Sequence, residues 1–184
     1  MAIEPPDLQN YLLRRAIQRD KTAFTELYDR NVQRVYRYVY YWLPSQADAE
    51  DITQEVFVRA WQAIERYRIT GAPFIAWLTT IARNLVNSHY RAAKKLVPLP
   101  DNEPPSRSND NPELITEASF NRSYVRDTIL KLKGEKQKVI HMRFINEMSY
   151  EEIAKALNKT EGAIRVIQYR ALKDLRRLLE ADPG

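Results

Sequence analysis

Proline is distributed along this chain in a way that leaves few folds open. Five of the ten prolines fall between Pro98 and Pro112, in the stretch VPLPDNEPPSRSNDNP, whereas residues 7–95 hold only Pro44 and Pro73 and residues 113–182 hold none. Proline lacks the N–H that a helix interior or a sheet ladder needs. Regular structure must therefore break at the cluster and can run long on either side of it. The cluster has no apolar period and is rich in Ser, Asn and Asp, so it cannot bury enough surface to offset its own ordering. Glycine is equally sparse: Gly71, Gly134, Gly162 and Gly184. Strand-type alternation is missing, and apolar residues recur at three and four. The expectation is an all-α chain of two small helical domains, 7–95 and 119–182, joined by a flexible acidic Pro-rich linker over 96–118.

The first half predicts four helices. Phe24, Tyr28, Val32, Val35, Val39 and Trp42 form one face of a long helix that Pro44 closes. Ser45 is placed to cap the next helix, with Asp48 and Glu50 favouring its N-terminal dipole and Ile52, Val56, Ala60, Ala63 and Tyr67 facing inward. Gly71 and Pro73 break the chain, and Phe74, Trp77, Ile81 and Leu85 mark the apolar face of a third long helix, with Trp77 expected in the core. A short helix over residues 8–19 packs alongside. In the second half, helices over 119–133 and 135–146 meet at Gly134. Ser149 with Glu152 three residues on is a capping box, so a further helix begins at Tyr150. Asn158-Lys159-Thr160 is a short turn, and Thr160 caps a last helix that faces Ile164, Ile167, Ala171, Leu175 and Leu178 inward.

Charge follows the same partition. Residues 1–95 carry 14 Lys/Arg against 10 Asp/Glu, residues 96–118 one against five, and residues 119–184 14 against nine. Two basic blocks flanking an acidic connector suit a polyanionic partner. There is no cysteine, and His89 and His141 are isolated, so neither a metal centre nor thiol chemistry is expected. No carboxylate pair, nucleophile–base pair or glycine-rich phosphate loop appears, which argues against an enzyme and against a cofactor. No apolar run reaches membrane-spanning length, and MAIEPPDLQN lacks the basic-then-apolar order of a signal peptide, so a cytoplasmic location is expected.

A short helix, a three-residue turn and a longer basic helix are spaced as in a helix-turn-helix. Arg165, Tyr169, Lys173 and Arg176 form a stripe opposite the apolar face of the last helix. Residues early in a recognition helix meet base edges and later ones meet phosphates. Arg165, Val166 and Tyr169 are thereby assigned to bases, and Thr160, Arg170 and Lys173 to the backbone. Gly162 lets a DNA backbone approach the helix start closely. On the second long helix of the first half, Asp51, Gln54, Glu55, Val58 and Gln62 share a face away from the core, which either docks a basic protein surface or is merely solvated. On the third long helix, Thr80, Asn84, Asn87, Arg91 and Lys95, with Arg83 beside them, make an amide and basic stripe. The segment RYRITGAPFIAWL before it sets aromatics and arginines around a Gly/Pro loop that can hold an unstacked base.

These segments resemble a known family. DAEDITQEVFVRAW (48–61) resembles the polymerase-binding motif of bacterial sigma factors. PFIAWLTTIARNLVNSHYR (73–91) resembles their promoter-melting and minus-ten segment, and MSYEEIAKALNKTEGAIRVIQYRALKDLRR (148–177) their minus-thirty-five helix-turn-helix. The motifs occur in family order, and the short length with a direct linker is similar to the compact extracytoplasmic-function (ECF) type. The resemblance implies that Asp51, Gln54, Glu55 and Val58 grip the coiled coil of the largest subunit of core RNA polymerase. It implies that Tyr67, Arg68 and Phe74 of the loop pocket a flipped non-template base, while Thr80, Arg83, Asn84, Asn87, Arg91 and Lys95 face the minus-ten element. Thr160, Gly162, Arg165, Val166, Tyr169, Arg170 and Lys173 would serve the minus-thirty-five element. The second domain would dock on the flap of the other large subunit, and the linker would thread toward the RNA exit channel. The family often works with an anti-sigma protein, a partner that the resemblance allows and the sequence itself does not decide, and no membrane contact is expected. One departure stands out: Val166-Ile167-Gln168 occupies a place where many relatives carry a Ser-Arg pair. The alternative reading is a helix-turn-helix regulator whose N-terminal helices dimerise or sense a ligand.

Overall fold

The computed structural model describes residues 6–43, 45–95 and 117–181, so the expected linker lies almost wholly outside the described residues. Among those residues every regular element is a helix. The first group comprises α1 (Pro6–Ile17), α2 (Lys21–Trp42), α3 (Gln46–Ala63) and α4 (Phe74–Lys95), with a 3-10 turn at Ile64–Arg66. The caps explain the boundaries. The Asp20 carboxylate accepts from the Ala23 amide at 3.2 Å and opens α2, while two guanidinium N–H groups of Arg15 hold the same carboxylate. Leu43, the residue before Pro44, is extended at φ −109° and ψ 110°, which is where a following proline forces the chain. Ser45 Oγ accepts from the Asp48 amide at 3.3 Å and starts α3.

Within this bundle α2 packs on α1, α3 and α4, and α3 packs on α4. Leu13, Leu27, Val35, Val39, Val56, Ile64, Phe74 and Leu78 form the interior, each no more than 1% exposed. The buried stripe of α4 is Phe74, Ile75, Leu78, Ala82, Leu85 and Val86. This is rotated from the stripe expected from sequence, and the rotation carries Trp77 and Ile81 to its flank, where both are only half-buried.

The second group comprises α5 (Glu117–Lys131), α6 (Glu135–Ile140) with a π turn at His141–Ile145, α7 (Tyr150–Leu157) and α8 (Glu161–Ala181). The capping box is complete: Ser149 Oγ accepts from the Glu152 amide, and the Glu152 carboxylate accepts from the Ser149 amide at 2.8 Å. Asn158 ends α7 in the left-handed region at φ 53°, and Thr160 Oγ1 accepts from the Ala163 amide at 3.2 Å to start α8. Ile153, Ile164 and Ala171 are fully buried between these helices.

The two groups touch. Arg34 Nε donates to the Asn146 carbonyl at 2.8 Å, and the 1%-exposed Asn146 amide donates to Thr79 Oγ1 of α4 at 3.3 Å. Arg37 pairs with Glu147, and Arg34 lies 3.4 Å from Glu152. At the end of α2, Tyr41 packs on the cluster of Ile129, Leu132, Ile140 and Ala171, and Tyr41 and Trp42 present ring edges to His141 at 5.7 and 5.0 Å.

Candidate nucleic-acid interface and docking face

A cleft of ≈ 330 Å³ opens at the start of α4, walled by Tyr67, Pro73 and Trp77, with Arg66 and Arg68 on its rim and Thr80 at its edge. The loop reaches this shape because Gly71 turns at φ 81°, in the region that only glycine enters freely, and Pro73 is buried beneath it. Three rings then lock together. Tyr67 meets Phe74 edge-on at 5.5 Å and Trp77 at 4.9 Å, and Phe74 lies 5.5 Å from Trp77. Burial pushes the Tyr67 phenol above its ordinary value, so it stays a neutral hydroxyl.

This geometry corrects one assignment. Phe74, expected at the flipped base, is 0% exposed and does not reach the cleft. Trp77, expected in the core, is half-buried and forms the cleft wall. The reason is register. Trp77 lies seven residues, two helical turns, before Asn84, so the two share a face, while Phe74 shares its face with Leu78, Ala82 and Leu85. That spacing was present in the sequence, but an aromatic at apolar spacing reads first as core. Thr80, Arg83, Asn84, Asn87 and Arg91 are all exposed and continue from the cleft along α4, as does Arg68 on the loop. Lys95 ends the helix, and its side chain lies outside the described residues.

On α3, Asp51, Gln54, Val58 and Gln62 are exposed, and the partly exposed Glu55 receives a 2.6 Å hydrogen bond from Arg59. The stripe borders an apolar groove of ≈ 390 Å³ floored by Phe24, Tyr28, Phe57 and Trp61. The paired rings Phe24–Trp61 at 4.9 Å and Tyr28–Phe57 at 4.6 Å fix its floor. Sequence reasoning took Phe24 and Tyr28 for interior residues of α2. They do face α3, yet each keeps an edge in the groove.

On α8, Thr160, Gly162, Arg165, Val166, Tyr169, Arg170 and Lys173 are all exposed, Val166 to 48% and Tyr169 to 70%. A Cβ built on Gly162 would meet only open space, so the helix start is free for close approach by a partner. Thr160 is engaged in capping through its Oγ1, which leaves its hydroxyl proton for an acceptor such as a phosphate. Arg165 lies over the Tyr150 ring, 3.9 Å from its centroid, a contact with no counterpart in the sequence reasoning because it spans two helices. Among the described residues no group of His and acidic side chains could hold a metal ion, and no helix is long and apolar enough to cross a membrane.

Comparison with known proteins gives two matches within the chain, to Sigma-70 region 2 over residues 27–96 and to Sigma-70 region 4 over residues 129–177. The ECF RNA polymerase sigma factor BldN of Streptomyces coelicolor is 36% identical over 173 residues, 93% of this chain and 66% of that one, so this chain spans just under two thirds of that relative's length. The ECF RNA polymerase sigma factor SigL of Mycobacterium tuberculosis is 30% identical over 155 residues, 84% of this chain and 87% of that one. Among solved structures, CnrH in complex with the cytosolic domain of CnrY matches with a TM-score of 0.63 at 25% identity, covering 95% of this chain and 99% of that one.

Proposed function

The chain belongs to the ECF sigma factors of RNA polymerase, and from that premise we propose how its surfaces divide the work of starting transcription. Residues 7–95 act as the polymerase-binding and minus-ten domain, residues 119–182 as the minus-thirty-five domain, and residues 96–118 as the tether between them. The α3 stripe of Asp51, Gln54, Glu55 and Val58 docks on the coiled coil of the largest polymerase subunit. A carboxylate and amide face meets a basic protein surface better than it meets DNA. The α8 stripe enters the major groove of the upstream element, and its helix group also docks on the flap of the second large subunit. The protein makes and breaks no covalent bond in this scheme: it supplies promoter choice and strand opening in the cytoplasm, and polymerase does the chemistry.

The observation that carries the proposal is the cleft at the start of α4. Its walls are aromatic, Tyr67 and Trp77, and its rim is cationic, Arg66 and Arg68. A base released from the duplex needs a π surface to replace its lost stacking and cations for its backbone, and such stacking is worth about 1–3 kcal/mol per base. Asn84, two turns along the same face, supplies an amide that can both donate to and accept from a base edge. A duplex cannot enter a cleft of ≈ 330 Å³, whereas a single extruded base can. Because opened strands are captured only singly, the cleft favours the melted state over the closed one.

The similar solved structure of CnrH is of a complex with the cytosolic domain of CnrY. An anti-sigma partner for this chain is part of the proposal. The test is fluorescence anisotropy with the full chain bound to core polymerase, using labelled minus-ten oligonucleotides. Single-stranded non-template DNA should bind more tightly than the same sequence in duplex, with discrimination at one or two positions that Asn84→Ala removes. Equal affinity for all single-stranded sequences would refute the reading and favour a simple duplex-binding regulator.

A further inference from the structure

We propose that Tyr150, at the first turn of α7, is a positioning residue that aims Arg165 of the recognition helix at its base. This rests on the reading of α8 as the minus-thirty-five reader and adds a residue from the other helix of the motif. The observation is the contact across the turn: the Arg165 guanidinium carbon stands 3.9 Å from the Tyr150 ring centroid.

The ring is itself held. Tyr150 follows the complete Ser149–Glu152 capping box, which fixes where α7 begins. It lies between Met148, 1% exposed, and Ile153, 0% exposed, so the backbone on both sides is anchored in the core. A second guanidinium, that of Arg143, lies 5.0 Å from the same ring centroid, and its Nη1 donates to the Met148 carbonyl at 3.0 Å. Arg165, by contrast, is 58% exposed at its side chain and has one other constraint, Glu161 one turn earlier at 3.7 Å. That distance is an ion pair without a short hydrogen bond, on an exposed helix face where salt screens it. The ring contact at 3.9 Å is the restraint that reaches Arg165 from the other helix, and it gives the guanidinium a surface to lie on as well as a direction.

A guanidinium recognises guanine through two parallel N–H groups that must reach O6 and N7 together. A long exposed side chain that wanders among rotamers loses freedom on making that contact, and one already seated over a ring loses less. Seating also leaves the guanidinium edge, with its N–H donors, available for a base while its face is occupied by the ring. Tyr150 thus touches no base and acts only through Arg165. Removing it should blur the choice at one position without weakening phosphate contacts elsewhere.

The experiment selects promoters from a library randomised over the upstream element, using holoenzyme assembled from core polymerase and the full chain. Arg165→Ala identifies the position it reads. Tyr150→Leu and Tyr150→Met, which keep an apolar side chain without a π face, should each cut preference at that position by about two- to fivefold. Tyr150→Phe should match the wild type, other positions should hold their preferences, and the salt dependence of binding should not change. Combined with Arg165→Ala, Tyr150→Leu should add nothing at that position. Circular dichroism melts accompany each variant, and Met stands in should Leu not fold. Intact preference in the Leu and Met variants, failure of Phe to preserve it, or an equal drop at every position would overturn the inference while leaving Arg165 as the reader. If Arg165→Ala itself erases no preference, the reading of Arg165 fails and this inference with it.

Discussion

Phe74 and Trp77 are three residues apart on one helix, and the structure gives them opposite tasks that two alanine substitutions should separate. Phe74 is 0% exposed beneath the Tyr67–Pro73 loop, so Phe74→Ala removes a full aromatic side chain and leaves a cavity in a closed interior. That change costs about 3–5 kcal/mol. Trp77 is half-buried, and one side of it is the wall of an open cleft. Removing it enlarges a space already in contact with water, so the cavity contribution drops out and about half the apolar transfer term remains, roughly 1.5–2.5 kcal/mol. At roughly 2–4 °C per kcal/mol for a chain of this size, Phe74→Ala should lower the melting temperature about twice as far as Trp77→Ala. Binding should invert the order. If an extruded base stacks on Trp77, its loss should weaken binding of single-stranded minus-ten DNA by about 1–3 kcal/mol, roughly 5- to 150-fold, whereas Phe74→Ala, assayed well below its melting point, should bind nearly as the wild type does. Thermal melts of the free chain and anisotropy titrations of the holoenzyme measure the two effects. A Trp77→Ala protein that melts as low as Phe74→Ala yet binds single strands normally would refute the argument and return Trp77 to the core.

Three further outcomes are expected. Asp51→Ala with Gln54→Ala should leave the fold intact, because both side chains are exposed, and should cut affinity for core polymerase by about tenfold or more in a pull-down titration. Arg170→Ala should weaken all promoters alike and reduce the slope of affinity against salt by about one, whereas Arg165→Ala should cost about 1–3 kcal/mol and act at one position; identical selection profiles for the two would contradict the split. Burial of His141 against Tyr41 and Trp42 pushes its imidazole from 6.5 down to about 4, so below pH 6.5 the unfolded chain binds the extra proton. Stability should therefore be complete above pH 6.5 and fall by about 3 kcal/mol as pH approaches 4, a slope that His141→Leu should flatten in urea titrations at pH 7 and pH 5.

The sequence made local features legible and left tertiary ones hidden. Ser45, Ser149 with Glu152, and Thr160 cap where their spacing predicts, because an N-cap is decided within four residues. The exposed stripes of α3 and α8 follow from helical period alone. The exposed stripe of α4 follows too, but its buried stripe does not, because an apolar residue at 74, 77 or 81 satisfies a three-four period whichever flank faces inward. Only packing against α2 and α3 selects the face of Phe74 and Leu78 over that of Trp77. The Arg165–Tyr150 contact and the Phe24–Trp61 floor of the α3 groove each join two helices. No periodicity within one helix reports such a pair.

The contact between the two helix groups has polar and apolar parts of different weight. Arg37 and Glu147 pair with side chains 44% and 55% exposed, and Arg34 and Glu152 stand 3.4 Å apart, so each pair contributes about 0–1 kcal/mol. The Asn146–Thr79 hydrogen bond adds about 0.5–1.5 kcal/mol net. Against these stand the Tyr41 hydroxyl, Trp42 Nε1 and His141 Nε2, all buried at the seam with no hydrogen-bond partner among the described residues, each costing about 1–3 kcal/mol. The 2.8 Å bond from Arg34 Nε to the Asn146 carbonyl, worth about 1.5–3 kcal/mol, offsets part of that cost. Cohesion is therefore chiefly apolar: Val139, Met148 and Ile153 of the second group share one buried cluster with Leu13, Val35 and Phe74 of the first, beside the packing of Tyr41 on Ile129, Leu132 and Ile140. In this arrangement Thr80, Arg83, Asn84, Asn87 and Arg91 of α4 and Arg165, Tyr169, Arg170 and Lys173 of α8 are all exposed, so a partner can reach either stripe without the groups having to part.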